Sequence, residues 1–423
     1  MLTRQLKLLL LSCAYLCLGF QSGAAHEVSD VVRFLLVGDP FGGAIDKVRH
    51  ELHLRWNSTL DLEIVGYNEV RQLALLNAQD MISNYDVIAF DALWMGEYVQ
   101  KQVLLPLDDY IAQSERVQVD DFLEVAYLSA SDDGQQYGLP IQPHPELLWV
   151  NTEVFERYNL AYPQTTQDLL ETAGFLNEQN PAMQGICWNG QRRQALGQQM
   201  AHFYAAFGQA PLDAQGRPQL DGVNALAAAE YALNLVAYSP PDILTMAWDQ
   251  RVLSFINQRC AMTYEWGARA YLTEGERSTV RGKVVYLPAP HAPSAEAVTP
   301  LGTWHVGIPA NIGGRADLAW SILEDLTSTE VLRLLAEHGN GGMPRYSLLH
   351  DSGLQERYPA FQTVLELSET GQLADWMRPA VPEWAELEII LGTSFHDMLR
   401  GQLSAQEAVS QAQQRATALL KAN

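Results

Sequence analysis

Residues 137–160 read YGLPIQPHPELLWVNTEVFERYNL, and this stretch indicates how the chain builds one wall of a cleft. A short predicted strand ends at Pro140, whose ring fixes φ and bends the backbone. A polar linker that carries His144 and Glu146 follows, and an apolar strand with a tryptophan comes next at residues 147–150. A rigid bend, convergent polar groups and an indole predict a site for a hydroxylated small molecule.

Upstream, the chain alternates predicted strands and helices at the spacing of βαβ units. In order, these are strand 31–37, helix 44–56, strand 60–65, helix 70–84 and strand 85–90. This alternation predicts an α/β fold with a mainly parallel sheet. Ligands of such sheets bind outside the carboxyl ends of the strands, and Asp91 and Trp94 follow the third strand at such an end.

A second α/β region runs from about residue 147 to residue 288. Its predicted elements are helix 166–178, strand 185–188, helices 223–238 and 250–257, and strand 260–264. The chain then continues with strand 302–309, helices 317–326 and 328–338, and a carboxyl-terminal helix. Three helix starts carry capping-box pairs, namely Thr165 with Asp168, Thr327 with Glu330, and Ser404 with Glu407.

The composition is typical of a folded, acidic protein. The chain has 423 residues, of which 48% are apolar, enough for two or three domains with a buried core. Its formal charge of −23 argues against the basic surface of a nucleic-acid-binding protein and against attraction to an anionic membrane. We therefore expect no nucleic-acid partner.

The amino terminus has the pattern of a secretion signal. Arg4 and Lys7 precede an apolar run over residues 8–20 that is too short to span a bilayer, and the small residues after it offer a cleavage site. We predict that residues 1–25 are a signal peptide and that the mature chain is periplasmic. A lipid anchor at Cys13 is the disfavoured alternative, because little apolar sequence precedes that cysteine.

Two cysteines, Cys187 and Cys260, remain after removal of the signal. An even number of cysteines in an oxidising compartment permits a disulfide. Two unrelated buried thiols are equally compatible with the residues alone, so both interpretations stay open at this point.

Tryptophans at the ends of predicted elements are candidates for a carbohydrate site, because an indole face stacks on the C–H face of a sugar or polyol. They are Trp94, Trp149, Trp188, Trp248, Trp266 and Trp304. For any one of them, packing in the core is an equally good explanation.

Charged residues near the same ends could orient a ligand. Asp91 and Glu265 directly follow apolar strands, and a carboxylate is a strong acceptor for vicinal hydroxyls. Asp91 is equally compatible with the N-cap of a following helix. Arg193 and Arg345 follow Gly-rich turns and are weaker candidates, because arginines near such turns are commonly on the surface.

No catalytic signature is complete in the sequence. The run from His50 to His53 is one residue short of the zinc motif HExxH, and the GxSxG, P-loop and dinucleotide-binding glycine patterns are missing. We predict no cofactor and no metal site. A glycosidase pair of Asp91 and Glu265 stays open as an enzymatic alternative, because a sequence does not give the distance between two carboxylates.

The order of several motifs resembles the extracellular solute-binding proteins, family 1, of ABC importers, over nearly all of the chain after the signal. The matching segments are YDV at 85–87 with Asp91 and Trp94, LPLDDY at 105–110, YGLP at 137–140, WVNTEVF at 149–155, the Pro-Arg turn at 344–345, and residues 378–384. The surroundings of Cys187 and Cys260 resemble the sorbitol- and mannitol-binding branch in particular. Gln167 and Gln258 depart from the family pattern.

This resemblance implies a type II periplasmic binding protein similar to maltose-binding protein. In that fold two α/β lobes are joined by crossing strands and hinge over a ligand held between them. Lobe 1 would comprise residues 26–141 and 305–345, and lobe 2 would comprise residues 142–304 and 346–423.

The resemblance implies that Asp91, Trp94, Trp266, Trp304 and Arg345 occupy positions that face the cleft. With the linker residues His144 and Glu146 and the candidates Trp188, Arg193 and Glu265 described above, the expected ligand-binding set is Asp91, Trp94, His144, Glu146, Trp188, Arg193, Glu265, Trp266, Trp304 and Arg345. In the sugar-alcohol branch, Cys187 and Cys260 are expected to pair within one lobe.

The expected function is that of a monomeric periplasmic receptor that captures a sugar or sugar alcohol without altering it. Its macromolecular partners would be the permease subunits of an ABC transporter in the inner membrane. Two alternatives stay open, a secreted carbohydrate-active enzyme with a two-carboxylate mechanism and a receptor that presents its ligand to a sensor kinase.

Overall fold

The computed structural model of the chain describes residues 30–422, so the predicted signal peptide lies outside the described residues. The strands within this range are β1 (Asp30–Val37), β2 (Ser58–Val65), β3 (Val87–Asp91), β4 (Ser131–Asp132), β5 (Gln135–Gln136), β6 (Leu139–Asn151), β7 (Gln184–Cys187), β8 (Cys260–Trp266), β9 (Val284–Leu287), β10 (Thr299–Gly307) and β11 (Leu373–Ala374).

The α-helices of the same range begin with α1 (Pro40–Lys47), α2 (Arg49–Trp56), α3 (Tyr67–Asn77), α4 (Met95–Gln100), α5 (Asp108–Gln113), α6 (Glu124–Leu128), α7 (Thr152–Tyr158), α8 (Thr166–Gln179) and α9 (Gln194–Ala206). They continue with α10 (Val223–Val236), α11 (Trp248–Ile256), α12 (Ala316–Leu326), α13 (Thr329–Glu337), α14 (Tyr346–Leu349), α15 (Ser352–Arg357), α16 (Ala360–Glu369), α17 (Trp384–Leu399) and α18 (Ala405–Ala422). Short 3-10 helices at Ala92–Trp94 and Gly267–Leu272 follow β3 and β8.

One mixed sheet runs through the molecule in the order β2-β1-β3-β10-β6-β8-β7. β1 is parallel to β2 and β3, and β7 is parallel to β8, whereas β6 and β10 are antiparallel to each other and to their other neighbours in this order. We call the half built on β1, β2 and β3 lobe 1, and the half built on β7, β8 and β9 lobe 2. The long strands β6 and β10 cross between them.

Two strands of lobe 1, β1 and β3, are largely buried on both faces. Within β1, the run from Phe34 to Val37 is buried, and every residue of β3 is buried as well. Near-continuous apolar strands are typical of a parallel sheet that helices cover on both sides. The α/β prediction is therefore confirmed, and the predicted parallel pairing holds among β1, β2 and β3, whereas the crossing strands make the sheet as a whole mixed. The carboxyl ends of β1, β2 and β3 open toward lobe 2.

The prediction that Gln142, His144 and Glu146 lie on a linker between two strands is wrong. The chain remains extended from Leu139 to Asn151, and all thirteen residues are buried. β10 pairs with the first part of this strand, and β8 and β9 pair with the second part. Proline has no backbone N–H, but its φ is compatible with an extended chain, so Pro140 does not end the strand.

Two predicted helices of lobe 1 have different bounds in the structure. The helix predicted at residues 44–56 is two helices, α1 and α2, because the backbone at Val48 departs from helical geometry. The helix predicted at residues 70–84 ends at Asn77, whose side-chain oxygen accepts the backbone N–H of Asn84. Such a bond offers the backbone an alternative to the next helical turn.

The capping predictions are confirmed at two of three helices. Thr165 with Asp168 and Ser404 with Glu407 form reciprocal capping bonds. The box predicted for Thr327 is wrong, since Ser328 is the N-cap of α13 and its hydroxyl accepts the N–H of Val331. The hydroxyl of Thr327 instead donates to a carbonyl in the last turn of α12.

Lobe 2 contains two long helices that the sequence did not predict, α9 and α17, which pack against each other. Gly197 on α9 and Gly392 on α17 permit this close approach, because a side chain at Gly392 would collide with the backbone of Arg193. Lobe 2 also holds the disulfide between Cys187 and Cys260, which joins the end of β7 to the start of β8 with a Cα separation of 5.8 Å. In residues 30–422, no helix is both long and apolar enough to cross a bilayer.

Candidate functional site

A cavity of about 430 Å³ lies between the lobes at the carboxyl ends of β1, β2 and β3, and we call it the central cavity. Its lining combines aromatic, acidic and amide side chains from both lobes and from the crossing strands. The lining residues are Val37, Gly38, Asp39, Val65, Gly66, Tyr67, Asn68, Glu69, Asp91, His144, Gln198, Trp248, Asp249, Trp266, Arg269 and Trp304.

The wall from lobe 1 consists of aromatic rings that meet at tilted or edge-on angles around a carboxylate. The ring of Tyr67 lies 5.0 Å from that of Trp94 and 5.8 Å from that of Trp304, measured between centroids. The Tyr67 hydroxyl donates to Oδ2 of Asp91 at 2.9 Å. The indole N–H of Trp304 donates to Asp39 at 2.8 Å, which fixes this ring at the point where β10 crosses between the lobes.

Asp91 has one oxygen available for a further bond. Its Oδ2 accepts from Tyr67 and lies 3.5 Å from the guanidinium of Arg378, whereas its Oδ1 is buried without a hydrogen-bond partner among residues 30–422. A buried acceptor that lacks a partner costs about 1–3 kcal/mol. A donor brought to Oδ1 by a ligand would remove that cost. The alternative role of Asp91 as a side-chain N-cap is not observed.

Arg378 joins this carboxylate to lobe 2. Its Nε donates to Glu388 on α17 at 2.8 Å, and α17 packs on α9 of lobe 2. Burial by itself would lower the pKa of Arg378, but Glu388 and Asp91 outweigh burial and raise it above the ordinary value. Arg378 is therefore a permanent cation that compensates two buried carboxylates.

His144 presents an acceptor on the floor of the cavity. Its Nδ1 lies 2.9 Å from the carbonyl oxygen of Gln142, and because a carbonyl only accepts, Nδ1 carries the proton. Burial lowers the pKa of His144, so the ring is neutral and its Nε2 is a lone-pair acceptor. Gly302 on β10 makes room for this ring, since a Cβ there would lie 2.5 Å from Nε2.

Trp266 forms the wall from lobe 2 and lies between two histidines. The ring of His144 meets it edge-on at 4.7 Å, and the ring of His202 meets it edge-on at 5.2 Å. Its backbone N–H donates to Glu265 at 2.9 Å. The indole is only 5% exposed, so its position is set by these neighbours.

An ionic network lies behind Trp266. Arg251 donates to Glu146 on β6 at 2.8 Å and to both oxygens of Glu265 on β8 at 3.0 and 3.1 Å. His202 hydrogen-bonds to the other oxygen of Glu146. Burial would raise the pKa of Glu146, but His202 and Arg251 outweigh burial and lower it to about 2. At Glu265 burial prevails over Arg251 and raises the pKa.

Trp248 brings lobe 2 into contact with lobe 1. Its ring lies 5.7 Å from that of Tyr67, and its indole N–H donates to Gln198 at 2.6 Å. Near this contact, the amide of Gln194 donates to Asn68 at 3.3 Å. These contacts join the two lobes across the cavity.

A family model for bacterial extracellular solute-binding proteins matches residues 57–331. The chain belongs to this family. The mannitol-binding protein of Pseudomonas aeruginosa is 24% identical over 399 residues, which span 88% of each chain.

Solved structures of solute-binding proteins share the fold. An ABC transporter solute-binding protein from Agrobacterium radiobacter K84, in complex with ribitol, has a TM-score of 0.87 and 24% identity over 93% of this chain and 99% of that one. One from Agrobacterium vitis S4, with bound D-mannitol, has a TM-score of 0.82 and 20% identity over the same shares. The two-lobe type II architecture implied by the sequence motifs is therefore confirmed.

The solute-binding fold brings seven of the ten predicted site residues to the cleft region. Asp91, His144, Trp266 and Trp304 line the central cavity. Trp94 supports Tyr67 and Trp304 from behind. Glu146 and Glu265 lie behind Trp266, held by Arg251.

The three remaining residues lie away from the central cavity and need correction. Trp188 is in the core of lobe 2, where its N–H donates to Ser239 at 2.8 Å. Arg193 is exposed at the amino end of α9. Arg345 is buried in lobe 1, where its guanidinium covers the ring of Phe122 at 4.0 Å. Trp188 and Arg345 are therefore packing residues, and Arg193 is a surface residue that does not line the central cavity.

Several cleft residues of this solute-binding protein were missed by sequence reasoning. Asp39 and Tyr67 follow β1 and β2 closely, and Asp91 is the last residue of β3, so the rule that located Asp91 also locates them. Trp248 was a candidate indole but was not included in the site. Arg269 had no local signal, because it belongs to an irregular 3-10 turn after β8.

Proposed function

We propose that the protein is a periplasmic receptor that binds a sugar or sugar alcohol in the central cavity and delivers it to the permease of an ABC transporter. It would be exported with residues 1–25 as a cleaved signal and act as a monomer. The lobe boundaries proposed from the sequence would put the hinge in the two crossing strands, β6 and β10. Lobe 1 would comprise residues 26–141 and 305–345, and lobe 2 would comprise residues 142–304 and 346–423.

The observation that carries this proposal is the lining of the central cavity. It offers aromatic faces beside carboxylate acceptors whose negative charge is compensated by nearby arginines. Asp39 lies 3.4 Å from Arg269, and Asp91 lies 3.5 Å from Arg378. A compensated carboxylate still accepts hydrogen bonds, so it suits the hydroxyls of an uncharged polyol. Asp91 Oδ1 and His144 Nε2 are the acceptors that we assign to ligand hydroxyls.

Aromatic faces would supply the apolar part of recognition. Trp266 and Trp304 line the cavity from opposite sides of the β6 crossing, and polyol C–H groups pack against such faces. The binding of mannitol by the Pseudomonas relative, and the ribitol and D-mannitol bound in the two Agrobacterium structures, support a sugar alcohol. Closure would be a hinge motion in which ligand contacts with both lobes stabilise the closed form.

The enzymatic alternative of a two-carboxylate mechanism gains no support from the geometry. Glu265 is fully buried, is held by Arg251 and does not line the central cavity. A glycosidase needs two carboxyl groups that flank the scissile bond. Asp91 and Glu265 therefore do not flank the central cavity as such a pair.

A thermal-shift screen against pentitols, hexitols, monosaccharides and sugar phosphates tests the proposal. Ligand at a hundredfold excess over its dissociation constant should stabilise the protein by about 2.7 kcal/mol. Asp91→Asn should abolish most of this shift for the same ligand, because it replaces one charged acceptor oxygen by an amide donor. If none of these compounds raises the melting temperature, the carbohydrate assignment is contradicted.

Delivery to a permease is tested separately by uptake. Deletion of the gene should abolish uptake of the ligand found in the screen, and the wild-type gene should restore it. A strain that loses transcriptional induction by the ligand but keeps its uptake would instead indicate presentation to a sensor kinase.

A further inference from the structure

Two smaller cavities adjoin the central cavity along the cleft between the lobes. One of about 260 Å³, which we call the outer cavity, shares Gly38, Asp39, Asp249 and Arg269 with the central one. The other, of about 190 Å³, shares Asp91 with it. The central and outer cavities therefore adjoin where Asp39 and Arg269 meet across the cleft, and the central cavity adjoins the third cavity at Asp91.

An ion pair between the two lobes separates the central cavity from the outer cavity. Asp39 follows β1 in lobe 1, Arg269 follows β8 in lobe 2, and the two approach to 3.4 Å. Asp249 on α11 holds the other end of the guanidinium at 2.9 Å. The second oxygen of Asp39 is fixed by the indole N–H of Trp304 at 2.8 Å. Asp39 and Arg269 are thus each held in place by a further partner.

We propose that the Asp39–Arg269 pair sets the upper size limit of the ligand, so that the closed protein accepts one short polyol or monosaccharide and rejects a disaccharide alcohol. This inference rests on the proposed function and assigns a substrate size class to the same site. A volume of about 430 Å³ lies toward the lower end of the range for small-molecule pockets, about 300–1,000 Å³.

The physical reason is that the pair and a longer ligand compete for the same space. A second sugar ring that extends from the central cavity toward the outer one must separate Asp39 from Arg269. Separation leaves two partly buried charges without each other, and their side chains are only 17% and 15% exposed. A ligand that reaches past the pair can therefore fit between the closed lobes only by displacing one of these two side chains.

The outer cavity has the space and the chemistry to receive a second ring once the pair is removed. Tyr271 offers an aromatic face there, and Lys47 lies on the lobe 1 side. Gly43 on α1 also lines it, and a Cβ at Gly43 would meet nothing within 4 Å. A larger side chain at Gly43 therefore has room to extend into the outer cavity, and Gly43 does not line the central one.

The test compares the affinities of D-mannitol and of the disaccharide alcohol maltitol by calorimetry. The wild type should bind D-mannitol and bind maltitol at least about a hundredfold more weakly. Arg269→Ala should reduce this ratio by at least about tenfold, because the partition is removed. Arg269→Lys, which keeps the charge opposite Asp39, should retain the wild-type preference.

A substitution at Gly43 tests whether the second sugar ring of maltitol occupies the outer cavity. Gly43→Leu in the Arg269→Ala background should restore discrimination against maltitol, whereas Gly43→Leu alone should leave D-mannitol binding unchanged. If Arg269→Ala does not yield folded protein by circular dichroism, Arg269→Gln removes the charge and shortens the side chain, and the same shift in preference is expected.

The outcomes separate this inference from the proposed function. If the wild type binds maltitol as tightly as D-mannitol, or if the folded Arg269 variants keep the full preference for D-mannitol, the size limit does not arise from this pair and the inference is overturned while the receptor function stands. If the wild type binds neither sugar alcohols nor sugars, the function itself fails, and the inference fails with it.

Discussion

Arg251 donates to both carboxylate oxygens of Glu265, at 3.0 and 3.1 Å, and the same carboxylate accepts the backbone N–H of Trp266. Arg251 and Glu265 are fully buried. Arg251 thereby fixes the end of β8 that carries Trp266. Through its bond to Glu146, it also ties β8 to the crossing strand β6.

Replacement of Arg251 by alanine should lower the free energy of unfolding by about 3–5 kcal/mol, because it leaves two buried carboxylates without their cation. Denaturant unfolding measures this directly. Arg281→Ala is a matched control, since that side chain is 66% exposed, and it should cost less than about 1 kcal/mol. Equal losses for the two variants would show that the network does not stabilise the fold.

Removal of the indole of Trp266 should weaken ligand binding by about 1–3 kcal/mol, because the ring supplies an apolar face to the ligand. Isothermal titration calorimetry with the best ligand of the thermal-shift screen gives the number. Tyr162→Ala serves as the control, because this ring is 41% exposed and lines none of the three cavities of the cleft. Unchanged affinity in Trp266→Ala would remove Trp266 from the site.

The cleft shows which site residues the local sequence predicts and which it does not. Asp91 was found because a carboxylate after a buried parallel strand lies at the ligand-binding edge of the sheet. Asp39 and Tyr67 obey the same rule. The partners that complete the site, Arg378 for Asp91 and Trp248 for Tyr67, come from distant parts of the chain, so only the tertiary fold brings them together.

Trp188 and Trp266 illustrate the same limit. Both indoles stand at or just after the end of a lobe 2 strand, and the sequence treats them alike. In the structure, Trp188 donates to Ser239 in the core, whereas Trp266 faces the central cavity. The direction of each side chain depends on which face of its strand meets the other lobe, and no local pattern specifies that.

The carboxyl group of Glu146 should make stability depend on pH in the acid range. Its pKa is about 2 in the folded protein, below its ordinary value of 4.5. The unfolded chain therefore binds the proton more readily, so the stabilisation is fully present above about pH 5 and is lost as the pH falls toward 2. The loss from this group should be about 3 kcal/mol.

The measurement is the free energy of unfolding from pH 7 to pH 2 for the wild type and for Glu146→Gln. The variant should be less stable at pH 7, and the difference between the two should shrink as the pH falls through the range where Glu146 titrates. Asp325 also has a pKa lowered to about 2, so Asp325→Asn provides an independent comparison. A difference that stays constant with pH would contradict the role assigned to Glu146.

The disulfide should stabilise the protein without contributing to the site. Cys187 and Cys260 are separated by 73 residues in sequence, and closing such a loop is worth about 2–4 kcal/mol. The double variant Cys187→Ala/Cys260→Ala should lose about that much in denaturant unfolding. Its affinity should match the wild type, because neither cysteine lines the central cavity. A large loss of affinity in folded variant would show that the disulfide positions the cleft.

Calorimetric titration of D-mannitol and ribitol into protein that has been unfolded, freed of ligand and refolded is the most direct measurement. Binding of one molecule per chain is expected for at least one sugar alcohol or sugar, and magnetic resonance spectra of the recovered ligand should be unchanged. Titrations without heat for every sugar and sugar alcohol, or recovery of a cleaved ligand, would contradict reversible capture between the two lobes.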